Sequence, residues 1–479
     1  MSGAPLWTAV EAVAATGGHC DGDWAASGIS IDSRSCKPGD LFIALAGPNF
    51  DGHDFIEAAI EAGAAAVLAH RAPKPKPQGA PQGAPFLMVE DTLSALTALG
   101  AAGRERSKAR LIAVTGSVGK TSTKEALRAC LSAQGETTAS VASFNNHWGV
   151  PLSLARMPRS AVYGVFEIGM NHAGEIGPLS RLVRPDVAVI TTVQPVHLEN
   201  FKNVLEIADA KAEIFEGMTP NGVAVLNRDN PFFANLRERA ADCGVTRVVS
   251  FGRHPEADMR LTDSSLHATC SAVHASYKGT AIDYCLSVPG EHWVINSLAV
   301  LPAADAAGAD LVAAAAELSQ LQALKGRGAR LEIVLPTGVF LLIDESYNAN
   351  PTSMKAAFAV LGRTNRGQGG RRIAVLGDML ELGPGSPDMH AGLAAPLIEA
   401  EVDLVFTCGP DMAHLHERLP EAQRGGHAAD SKALAPLVNA AVAPGDVVMI
   451  KGSLGSRMAV VVDALKSLDA APLRVANGE

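Results

Sequence analysis

The segment TGSVGKT, residues Thr115–Thr121, constrains the fold more than any other part of the sequence. The apolar run Leu111–Val114 before it predicts a buried strand, and the residues after it have the composition of a helix. In such a strand–loop–helix unit, backbone amides freed by the glycines and the helix N-terminus form a concave anion site. Lys120 can then reach the outer phosphates of a nucleotide, and the Thr121 hydroxyl can bind Mg²⁺. We therefore predict an α/β domain that binds ATP at this loop.

The predicted phosphate loop departs from the commonest form of the motif, G-x-x-x-x-G-K-[ST], because Val114 stands where that form has its first glycine. An ordinary strand-to-helix turn is the alternative, but it gives no packing reason for a Gly-Lys-Thr sequence. We expect nucleotide contacts from eight consecutive residues, Thr115, Gly116, Ser117, Val118, Gly119, Lys120, Thr121 and Ser122.

Composition indicates a folded protein of several domains. At roughly 150 residues per domain, 479 residues predict about three domains, and 47% of the residues are hydrophobic. The 40 lysines and arginines against 50 aspartates and glutamates give a net charge of −10, which argues against binding nucleic acid through bulk charge. Seven scattered cysteines predict neither disulfides nor a zinc site. With no secretory signal pattern and no apolar run of about 18 residues, we expect a cytoplasmic protein without a membrane span. We also expect a monomer, although the sequence does not fix the oligomeric state.

The alternation of apolar runs and helical segments divides the chain into three α/β domains. Residues 1–90 mix short strands such as DLFIAL with one helix, and the stretch 72–85, rich in Pro and Gly, predicts an exposed loop. Residues 91–329 begin with a helix at 92–106 and continue as a mostly parallel sheet, with an antiparallel insert at 250–288 that starts at VVSFG. Residues 330–479 restart the alternation as a Rossmann-like, doubly wound domain.

Three further residues of the second domain are candidates for the same site. Glu167 ends the strand AVYGVFE, and because ligands of parallel sheets gather at the carboxyl ends of strands, it can hold Mg²⁺ opposite Thr121. His197 follows the next strand. Three roles are open for it: a metal ligand, a general base, or a polar residue whose hydrogen bonds are made within the protein. Lys211 lies on an amphipathic helix, and taken alone it is typical of a solvated lysine.

In this order and spacing, the motifs resemble the Mur ligases, ATP-dependent amide-forming enzymes of peptidoglycan precursor synthesis, over nearly the whole chain. The phosphate loop resembles the family's T-G-[ST]-x-G-K-T. That pattern begins at Thr115 and requires no glycine before it, which accounts for Val114. The segment Asp344–Pro351, DESYNANP, is similar to that of the members that add D-alanyl-D-alanine, whereas members that add the third residue of the stem peptide typically have D-Y-A-H-x-P. Further similar motifs are Asp32-Ser33-Arg34, Asp51-Gly52-His53, Asn145-Asn146, Asn171-His172-x-Gly174-Glu175 and Gly377–Gly383.

The resemblance implies a three-domain ligase, with an N-terminal UDP-sugar domain, a central ATPase domain and a C-terminal Rossmann-like domain. ATP would phosphorylate the terminal carboxylate of UDP-MurNAc-tripeptide, and the amine of D-alanyl-D-alanine would attack the acyl phosphate. Two Mg²⁺ ions are implied, the first held by Thr121 and Glu167 and the second by His197 and a Lys211 carbamylated by CO₂. With Lys120, these residues would be the catalytic ones.

The remaining contacts are implied residue by residue. Asn296 would bind adenine. Trp293 replaces an asparagine of the family's adenine segment, so the other adenine contacts of that segment stay open. Arg330 and Asp344, where the second and third domains join, would approach the nucleotide; Arg330 is preferred to the nearby Arg327 because R-L-E fits the family pattern. Ser33 and Arg34 would contact the uridine diphosphate. Substrate contacts are also implied for Asn145, Asn146, Asn171, His172, Tyr347, Asn348 and Asn350.

Other functions stay open as alternatives. A ligase that adds the third residue, or a folylpolyglutamate synthase, would share the phosphate loop, but the N-A-N-P segment and the UDP-type first domain argue against both. A GTPase-like switch would need an N-K-x-D segment, and Asn227-Arg-Asp229 has the wrong spacing. Whether the tripeptide ends in diaminopimelate or lysine, and where the dipeptide binds, stays open.

Overall fold

The structure is a computed structural model that describes residues 4–47, 50–71, 84–196, 198–469 and 474–475. Three α/β units follow one another along the chain, and each has its own main sheet. The first unit contains strands β1 (Trp7–Thr8), β2 (His19–Cys20), β3 (Ala25–Ala26), β4 (Gly28–Ser30), β5 (Asp40–Ile43), β6 (Ala66–Ala69) and β7 (Phe86–Met88), with helices α1 (Ala9–Thr16), α2 (Ile56–Glu61) and α3 (Thr92–Glu105).

The sheet of the first unit has the order β2-β7-β6-β5-β4 and is parallel except at its β2 edge. Strands β5 and β6 are buried along their whole length, as expected for a parallel sheet covered on both faces. A separate two-stranded sheet pairs β1 with β3. The predicted loop at 72–85 lies mostly outside the described residues.

The central unit is the largest. Its strands are β8 (Arg110–Thr115), β9 (Thr137–Ala139), β10 (Tyr163–Glu167), β11 (Val187–Ile190), β12 (Val223–Asn227), β13 (Arg247–Gly252), β14 (Met259–Leu266), β15 (Ser271–Tyr277) and β16 (Thr280–Leu286). Its helices are α4 (Lys120–Ser132), α5 (Gly149–Ala155), α6 (Ile176–Val183), α7 (Val204–Ala212), α8 (Phe233–Asp242), α9 (Glu291–Ala306) and α10 (Leu311–Glu317).

The central sheet has the order β16-β15-β14-β13-β12-β11-β8-β10-β9, so β8, which leads into the phosphate loop, lies between β11 and β10. The strands from β9 to β13 are parallel, and only β14 to β16 pair antiparallel. The antiparallel insert is therefore confirmed for β14 to β16. Its predicted first strand, VVSFG, is instead part of β13, which pairs parallel to β12 because it continues the alternation of strands and helices.

The C-terminal unit contains strands β17 (Ala329–Leu335), β18 (Gly338–Glu345), β19 (Arg372–Gly377), β20 (Leu404–Cys408), β21 (Arg424–Ala428), β22 (Val447–Lys451) and β23 (Arg474–Val475). Its helices are α11 (Pro351–Arg363), α12 (Ser386–Ala391), α13 (Ala394–Glu399), α14 (Met412–Arg418), α15 (Ser431–Ala441) and α16 (Ala459–Lys466). The sheet order is β21-β20-β19-β22-β18-β17-β23, parallel from β21 to β18 and antiparallel beyond.

The predicted α/β class with three domains is confirmed by these sheets. The helix expected at 92–106, at the start of the central domain, is α3, and here it shares an apolar cluster with the first unit. The seven cysteines are free. Strand β21 was not predicted, because its sequence RGGHA offers neither an apolar run nor β-branched residues. Within the described ranges, no helix has the length and hydropathy needed to cross a membrane.

Helix α3 joins the first domain to the central domain. Its Leu96 and Leu99 belong to one apolar cluster with Leu41 of β5 and Leu152 of α5. The helices α3 and α5 approach closely at two glycines of α3: a Cβ at Gly103 would lie 2.5 Å from the carbonyl oxygen of Leu154, and Gly100 is similarly crowded. A side chain at either position would push the two domains apart.

Gly103→Ala tests this close approach. Alanine favours helix by about 1 kcal/mol over glycine, so in an open position the substitution would stabilise α3. Because its Cβ would collide with backbone, we expect a net destabilisation of about 1–3 kcal/mol, measured by thermal or urea unfolding. Ala101→Gly, at an exposed position of the same helix, is the control and should cost only the helix-propensity difference. A more stable Gly103→Ala protein would contradict the packing described.

Candidate active site

The phosphate loop connects β8 to α4 and depends on two glycines with positive φ. Gly116 has φ 148° and Gly119 has φ 84°, values that residues with a side chain rarely adopt. A Cβ at Gly116 would lie 1.9 Å from Oγ1 of Thr191, and a Cβ at Gly119 would lie 2.9 Å from the side-chain amide of Asn296. Oγ1 of Thr191 donates to the carbonyl oxygen of Val118 at 2.6 Å. The loop is thus packed between the end of β11 and helix α9.

A second set of contacts fixes the loop against the segment that follows β11. The Ser117 hydroxyl donates to the carbonyl oxygen of Gln194 at 3.0 Å and accepts from its backbone N–H at 2.9 Å. The same segment is held from its other side by Asn230, whose Nδ2 donates to Thr192 Oγ1 and to the carbonyl of Val193, both at 3.0 Å. Asn230, on the polar segment after β12, therefore supports the shape of the loop.

Lys120 is the first residue of α4, and its ammonium group turns back into the loop. Nζ donates to the carbonyl oxygen of Gly116 at 2.6 Å. Burial lowers the pKa of Lys120, the charge of Glu167 partly opposes this, and the charge of Arg327 lowers the pKa further. The ammonium group therefore lies among the loop amides, where a positive charge can meet the outer phosphates of a nucleotide.

Glu167 ends β10 beside β8 and is 1% exposed. Its Oε2 accepts a hydrogen bond from Thr121 Oγ1 at 2.7 Å, and its Oε1 accepts one from Nδ2 of Asn145 at 2.7 Å. Ser143 Oγ lies 3.3 Å from Thr121 Oγ1. A carboxylate and a hydroxyl at this distance offer the hard oxygen ligands that Mg²⁺ prefers, so the donor set fits the predicted ion.

Lys211 lies in the last turn of α7 and is 2% exposed, so the interpretation of a solvated lysine is wrong. The amphipathic pattern of α7 did not reveal that Lys211 is buried within electrostatic reach of Lys120. Within the described part of the chain, Nζ forms no hydrogen bond and no ion pair. Burial lowers the pKa of Lys211 well below its usual value, and repulsion from Lys120 lowers it further.

The predicted second metal site is only partly described. His197 lies outside the described residues, so its predicted role as a metal ligand and catalytic group stays a prediction. Among the residues with a described position, no group of three or more His, Cys, Asp or Glu side chains could hold a metal ion.

Glu213 links the end of α7 to the loop that contains Asn171 and His172. Its carboxylate accepts hydrogen bonds from the backbone N–H groups of Gly174, Ile176 and Gly177, at 2.6, 3.0 and 3.1 Å, which caps the start of α6. Asn171 and His172 are exposed on this loop. The loop is thus held beside the helix that contains Lys211.

Asp344 fixes the connection between the central and C-terminal domains. It is 1% exposed, its Oδ2 accepts from the Gly326 N–H at 3.0 Å, and its Oδ1 accepts from the Ser346 N–H and hydroxyl at 3.1 and 2.6 Å. The turn that Asp344 holds contains Arg327, whose guanidinium stacks over the ring of Tyr347 at 4.2 Å. In the described conformation Asp344 thus shapes the junction, and its predicted contact with the nucleotide stays a prediction.

The two arginines of the junction point in different directions. Arg327 donates from Nη2 to Ser143 Oγ at 3.3 Å, and therefore reaches the residue that neighbours Thr121. Arg330 donates from Nη2 to Thr364 Oγ1 at 3.2 Å, at the end of α11, and burial lowers its pKa. The preference for Arg330 rested on a local sequence pattern, which does not reveal which side of the junction a side chain faces.

Other predicted substrate residues have structural contacts of their own. Asn350 caps α11 by accepting from the Ser353 N–H at 2.9 Å, and the carbonyl oxygen of Asn348 accepts from Nζ of Lys451 at 3.0 Å. Arg34 forms an exposed pair with Asp32, at 2.7 Å between Nη2 and Oδ2. Asn146 accepts from the Gly149 N–H at 3.0 Å, Ser33 begins a short 3₁₀ turn, and Tyr347 lies under Arg327.

Two residues near the nucleotide site were missed by the sequence reasoning. Lys124 is completely buried in α4, and Ser143 joins Thr121 to Arg327. Lys124 left a signal: it lies on the buried stripe of α4 with Leu127 and Leu131, where a charged residue is unexpected. Ser143 left none, because a serine in a loop has many ordinary uses.

Comparison with known proteins covers almost the whole chain. Three family profiles match it, described as "Mur ligase family, catalytic domain" at residues 25–104, "Mur ligase middle domain" at 114–304 and "Mur ligase, glutamate ligase domain" at 329–454. The UDP-N-acetylmuramoyl-tripeptide--D-alanyl-D-alanine ligase of Bacillus subtilis is 36% identical over 443 residues, which are 91% of this chain and 93% of that protein.

Two solved structures extend the likeness to the fold. MurF from Acinetobacter baumannii has a TM-score of 0.81 and 31% identity, covering 96% of this chain and 99% of that one. The MurF ligase of Thermotoga maritima in complex with ADP has a TM-score of 0.72 and 26% identity, covering 92% and 97%. Sequence and fold are therefore similar to the same enzyme over all three domains.

The two junction arginines predict different effects on nucleotide binding. Because Arg327 faces the phosphate loop, Arg327→Gln should raise the Kd of a non-hydrolysable ATP analogue about tenfold, the loss of roughly one charge-assisted hydrogen bond. Arg330→Gln, the matched variant, should stay within about twofold. Isothermal titration calorimetry measures both constants. A larger loss in Arg330→Gln than in Arg327→Gln would show that Arg330 leaves Thr364 to bind the analogue, and would contradict the expectation that Arg327 makes this contact.

Proposed function

The chain belongs to the Mur ligase family, and on that premise we propose that it joins D-alanyl-D-alanine to UDP-MurNAc-tripeptide at the expense of ATP. The observation that carries the proposal is the 36% identity to the Bacillus subtilis ligase across 91% of the chain, with its nucleotide motif intact in space. The products are UDP-MurNAc-pentapeptide, ADP and phosphate. The proposed site of action is the cytoplasm, where ATP is available, and the proposed state is a monomer.

The chemistry requires transfer of a phosphoryl group between two anions, ATP and the tripeptide carboxylate. Charge repulsion opposes this approach, so the protein must place positive charge and N–H groups around the phosphates beforehand. The amides of residues 116–121 and Nζ of Lys120 are arranged around one loop for this purpose. A Thermotoga maritima relative has been solved in complex with ADP, which supports nucleotide binding by this chain.

Thr121 and Glu167 are proposed to hold the Mg²⁺ of the nucleotide. Their oxygens lie 2.7 Å apart next to Lys120, and Asn145 orients the other oxygen of the carboxylate. When bound, the ion supplies positive charge at the terminal phosphates. Without it, the buried carboxylate of Glu167 would face the anionic phosphates unshielded.

Lys211 is proposed to act as a carbamate, which would hold a second Mg²⁺ together with His197. An uncharged amine adds to CO₂: an N–C bond forms, one amine proton leaves to solvent, and the side chain becomes an anion. The surroundings of Lys211 support this step, because burial and the nearby Lys120 both disfavour the ammonium form. The same Lys120 charge then attracts the carbamate instead of repelling it.

Substrate contacts follow from the three domains. Ser33 and Arg34 are proposed to bind the uridine diphosphate, and opening of the exposed Asp32–Arg34 pair would free the guanidinium for a phosphate. Asn296, beside Gly119, is proposed to contact adenine. Contacts with the peptide or dipeptide are proposed for Asn145, Asn146, Asn171, His172, Tyr347, Asn348 and Asn350, and a nucleotide contact for Asp344 once the domains close. Because Arg330 is bonded to Thr364 in the described conformation, its nucleotide contact is proposed only for the closed enzyme with all substrates bound, and not for the complex with an ATP analogue alone.

The second half of the reaction is aminolysis of the acyl phosphate. The amine nitrogen of D-alanyl-D-alanine attacks the carbonyl carbon, the amide bond forms, and the C–O bond to the phosphate breaks. Phosphate leaves with the former carboxylate oxygen, and the amine loses one proton. Because water would hydrolyse the same intermediate, closure of the C-terminal domain over the phosphate loop is part of the proposed mechanism.

Phosphate release tests the assignment directly. UDP-MurNAc-tripeptides that differ in the third residue are each incubated with ATP and Mg²⁺, with and without D-alanyl-D-alanine. We expect release that depends on the dipeptide with at least one tripeptide. Dipeptide-independent release would not support ligation, and absence of dipeptide-dependent release with every tripeptide would overturn the proposal. Release with UDP-MurNAc-dipeptide and a free third residue would favour the other Mur-type ligase.

Lys120→Ala should lower the rate at least about 100-fold, because one preorganised charge at the transferred phosphoryl group is lost. Steady-state phosphate release measures the rate. Lys108→Ala, at an exposed lysine just before β8, is the control and should keep normal activity. Unchanged activity in Lys120→Ala would place the phosphate site elsewhere.

Lys211→Ala should abolish turnover while circular dichroism shows an intact fold, because no carbamate can form. A second readout is ¹³C NMR of protein equilibrated with ¹³C-bicarbonate, in which the carbamate signal should be present in the unmodified protein and missing in Lys211→Ala. Lys202→Ala, at an exposed lysine before α7, should keep both activity and signal. A rate near normal in Lys211→Ala would contradict the proposed role.

A further inference from the structure

Lys124 is a buried charge that the reaction itself does not use. It lies one helical turn after Lys120 in α4 and has no exposed surface. Its Nζ donates to the carbonyl oxygens of Ser140 and Ala142 at 2.6 and 2.8 Å, and it pairs with Oε1 of Glu125 at 2.6 Å. All three ammonium hydrogens therefore have an acceptor.

The stability of the fold alone does not explain why a lysine occupies this buried position. Removing an ammonium group from water costs several kcal/mol, and its partners only offset that cost, so an apolar residue of the same volume would pack as well or better. The neighbouring positions on the buried stripe, Leu127 and Leu131, are apolar. What an apolar residue cannot do is bind two backbone carbonyls of the loop that follows β9.

The loop that follows β9 contains a residue in a strained backbone conformation. Ala142 has φ 48°, a left-handed conformation that a non-glycine residue adopts at a cost of about 1 kcal/mol or more. Lys124 binds the carbonyl of Ala142 itself and the carbonyl two residues before it. The ammonium group therefore stabilises the strained conformation from inside the domain.

The loop held by Lys124 ends in the residues that contact both proposed magnesium ligands. Ser143 lies 3.3 Å from the hydroxyl of Thr121, and Asn145 donates to Glu167 at 2.7 Å. The position of Asn145 is fixed further by its carbonyl oxygen, which accepts from the Gly169 N–H at 2.8 Å. A shift at Ala142 would move both contacts.

We propose that Lys124 is a positioning residue that holds the loop Ser140–Asn145 in its left-handed turn, so that Ser143 and Asn145 orient Thr121 and Glu167 towards the magnesium nucleotide. The inference rests on the proposed ATP site and extends it by one layer of residues. It predicts that Lys124 acts on the Mg²⁺ dependence of nucleotide binding through the loop.

Lys124→Met tests the proposal, because methionine keeps the length of the side chain and removes the donor and the charge. ADP binding is measured by calorimetry while Mg²⁺ is titrated, with circular dichroism as the check on folding. The Mg²⁺ concentration for half-maximal tightening should rise about tenfold, as is typical when a group that orients a metal ligand is lost. ADP binding in EDTA should change less than about twofold. Arg128→Met, which removes the exposed partner of Glu125 on the same helix, is the control and should leave the midpoint unchanged.

Two further variants distinguish a positioning role of Lys124 from general damage to the fold. Ala142→Gly in the Lys124→Met background makes the left-handed turn less costly and should recover part of the lost Mg²⁺ affinity. Ala142→Val, at an exposed position, makes the turn more costly and should raise the Mg²⁺ midpoint in a protein that retains Lys124. This second variant keeps the test decisive should Lys124→Met fail to fold.

A normal Mg²⁺ midpoint in folded Lys124→Met, or in Ala142→Val, would overturn the proposal. Equal losses with Mg²⁺ and in EDTA would also overturn it, because they would indicate damage to the whole loop region. If the unmodified protein binds no ADP under any condition, the proposed function itself fails, and that outcome is distinct from a failure confined to the variants.

Discussion

The carboxylate of Glu167 is the contact on which the rest of the site depends. Its two oxygens are bonded to two different parts of the central domain, one to Thr121 at the start of α4 and the other to Asn145 in the loop before α5. Because the carboxylate is buried at the end of β10, any change in sheet register would remove an anion from the point where α4 begins. The phosphate loop, the carboxylate and the loop before α5 therefore form one unit.

Charge explains how an acidic chain can handle anionic substrates. The net charge of −10 excludes attraction through the bulk of the surface, but Lys120, Lys211 and Arg327 are gathered at one place. Burial lowers the pKa of both lysines, the charge of Arg327 lowers that of Lys120 further, and the charge of Lys120 lowers that of Lys211 further. A site of this kind favours phosphates, and it disfavours the ammonium form of Lys211.

How much of this could be predicted from the sequence differs from residue to residue. The phosphate loop and Glu167 were predictable because their roles follow from local geometry at the ends of parallel strands. The three-domain fold and the family were predictable because several motifs share one order along the chain, and both predictions are confirmed. Strand β21 was not, since RGGHA has no strand pattern and forms a strand only because β20 offers it a free edge.

Burial and direction of side chains were the properties that the sequence could not supply. Lys211 is a charged residue on an amphipathic helix, and only the packing of α7 shows that it is buried. Lys124 did leave a signal in the apolar stripe of α4, but the sequence does not show that its ammonium group binds the loop after β9. Arg327 and Arg330 are three residues apart in the junction, yet one faces Ser143 and the other Thr364. Asn350 was predicted as a substrate residue, and its side chain also caps the N-terminus of α11.

In the proposed reaction, ATP activates a carboxylate, and the phosphate departs with one of the carboxylate oxygens. The most direct measurement uses UDP-MurNAc-tripeptide labelled with ¹⁸O in its terminal carboxylate, together with ATP, Mg²⁺ and D-alanyl-D-alanine. Mass spectrometry of the released phosphate should show one ¹⁸O atom for each amide bond formed. Amide formation with phosphate that contains no ¹⁸O would contradict an acyl phosphate intermediate and, with it, the proposed reaction.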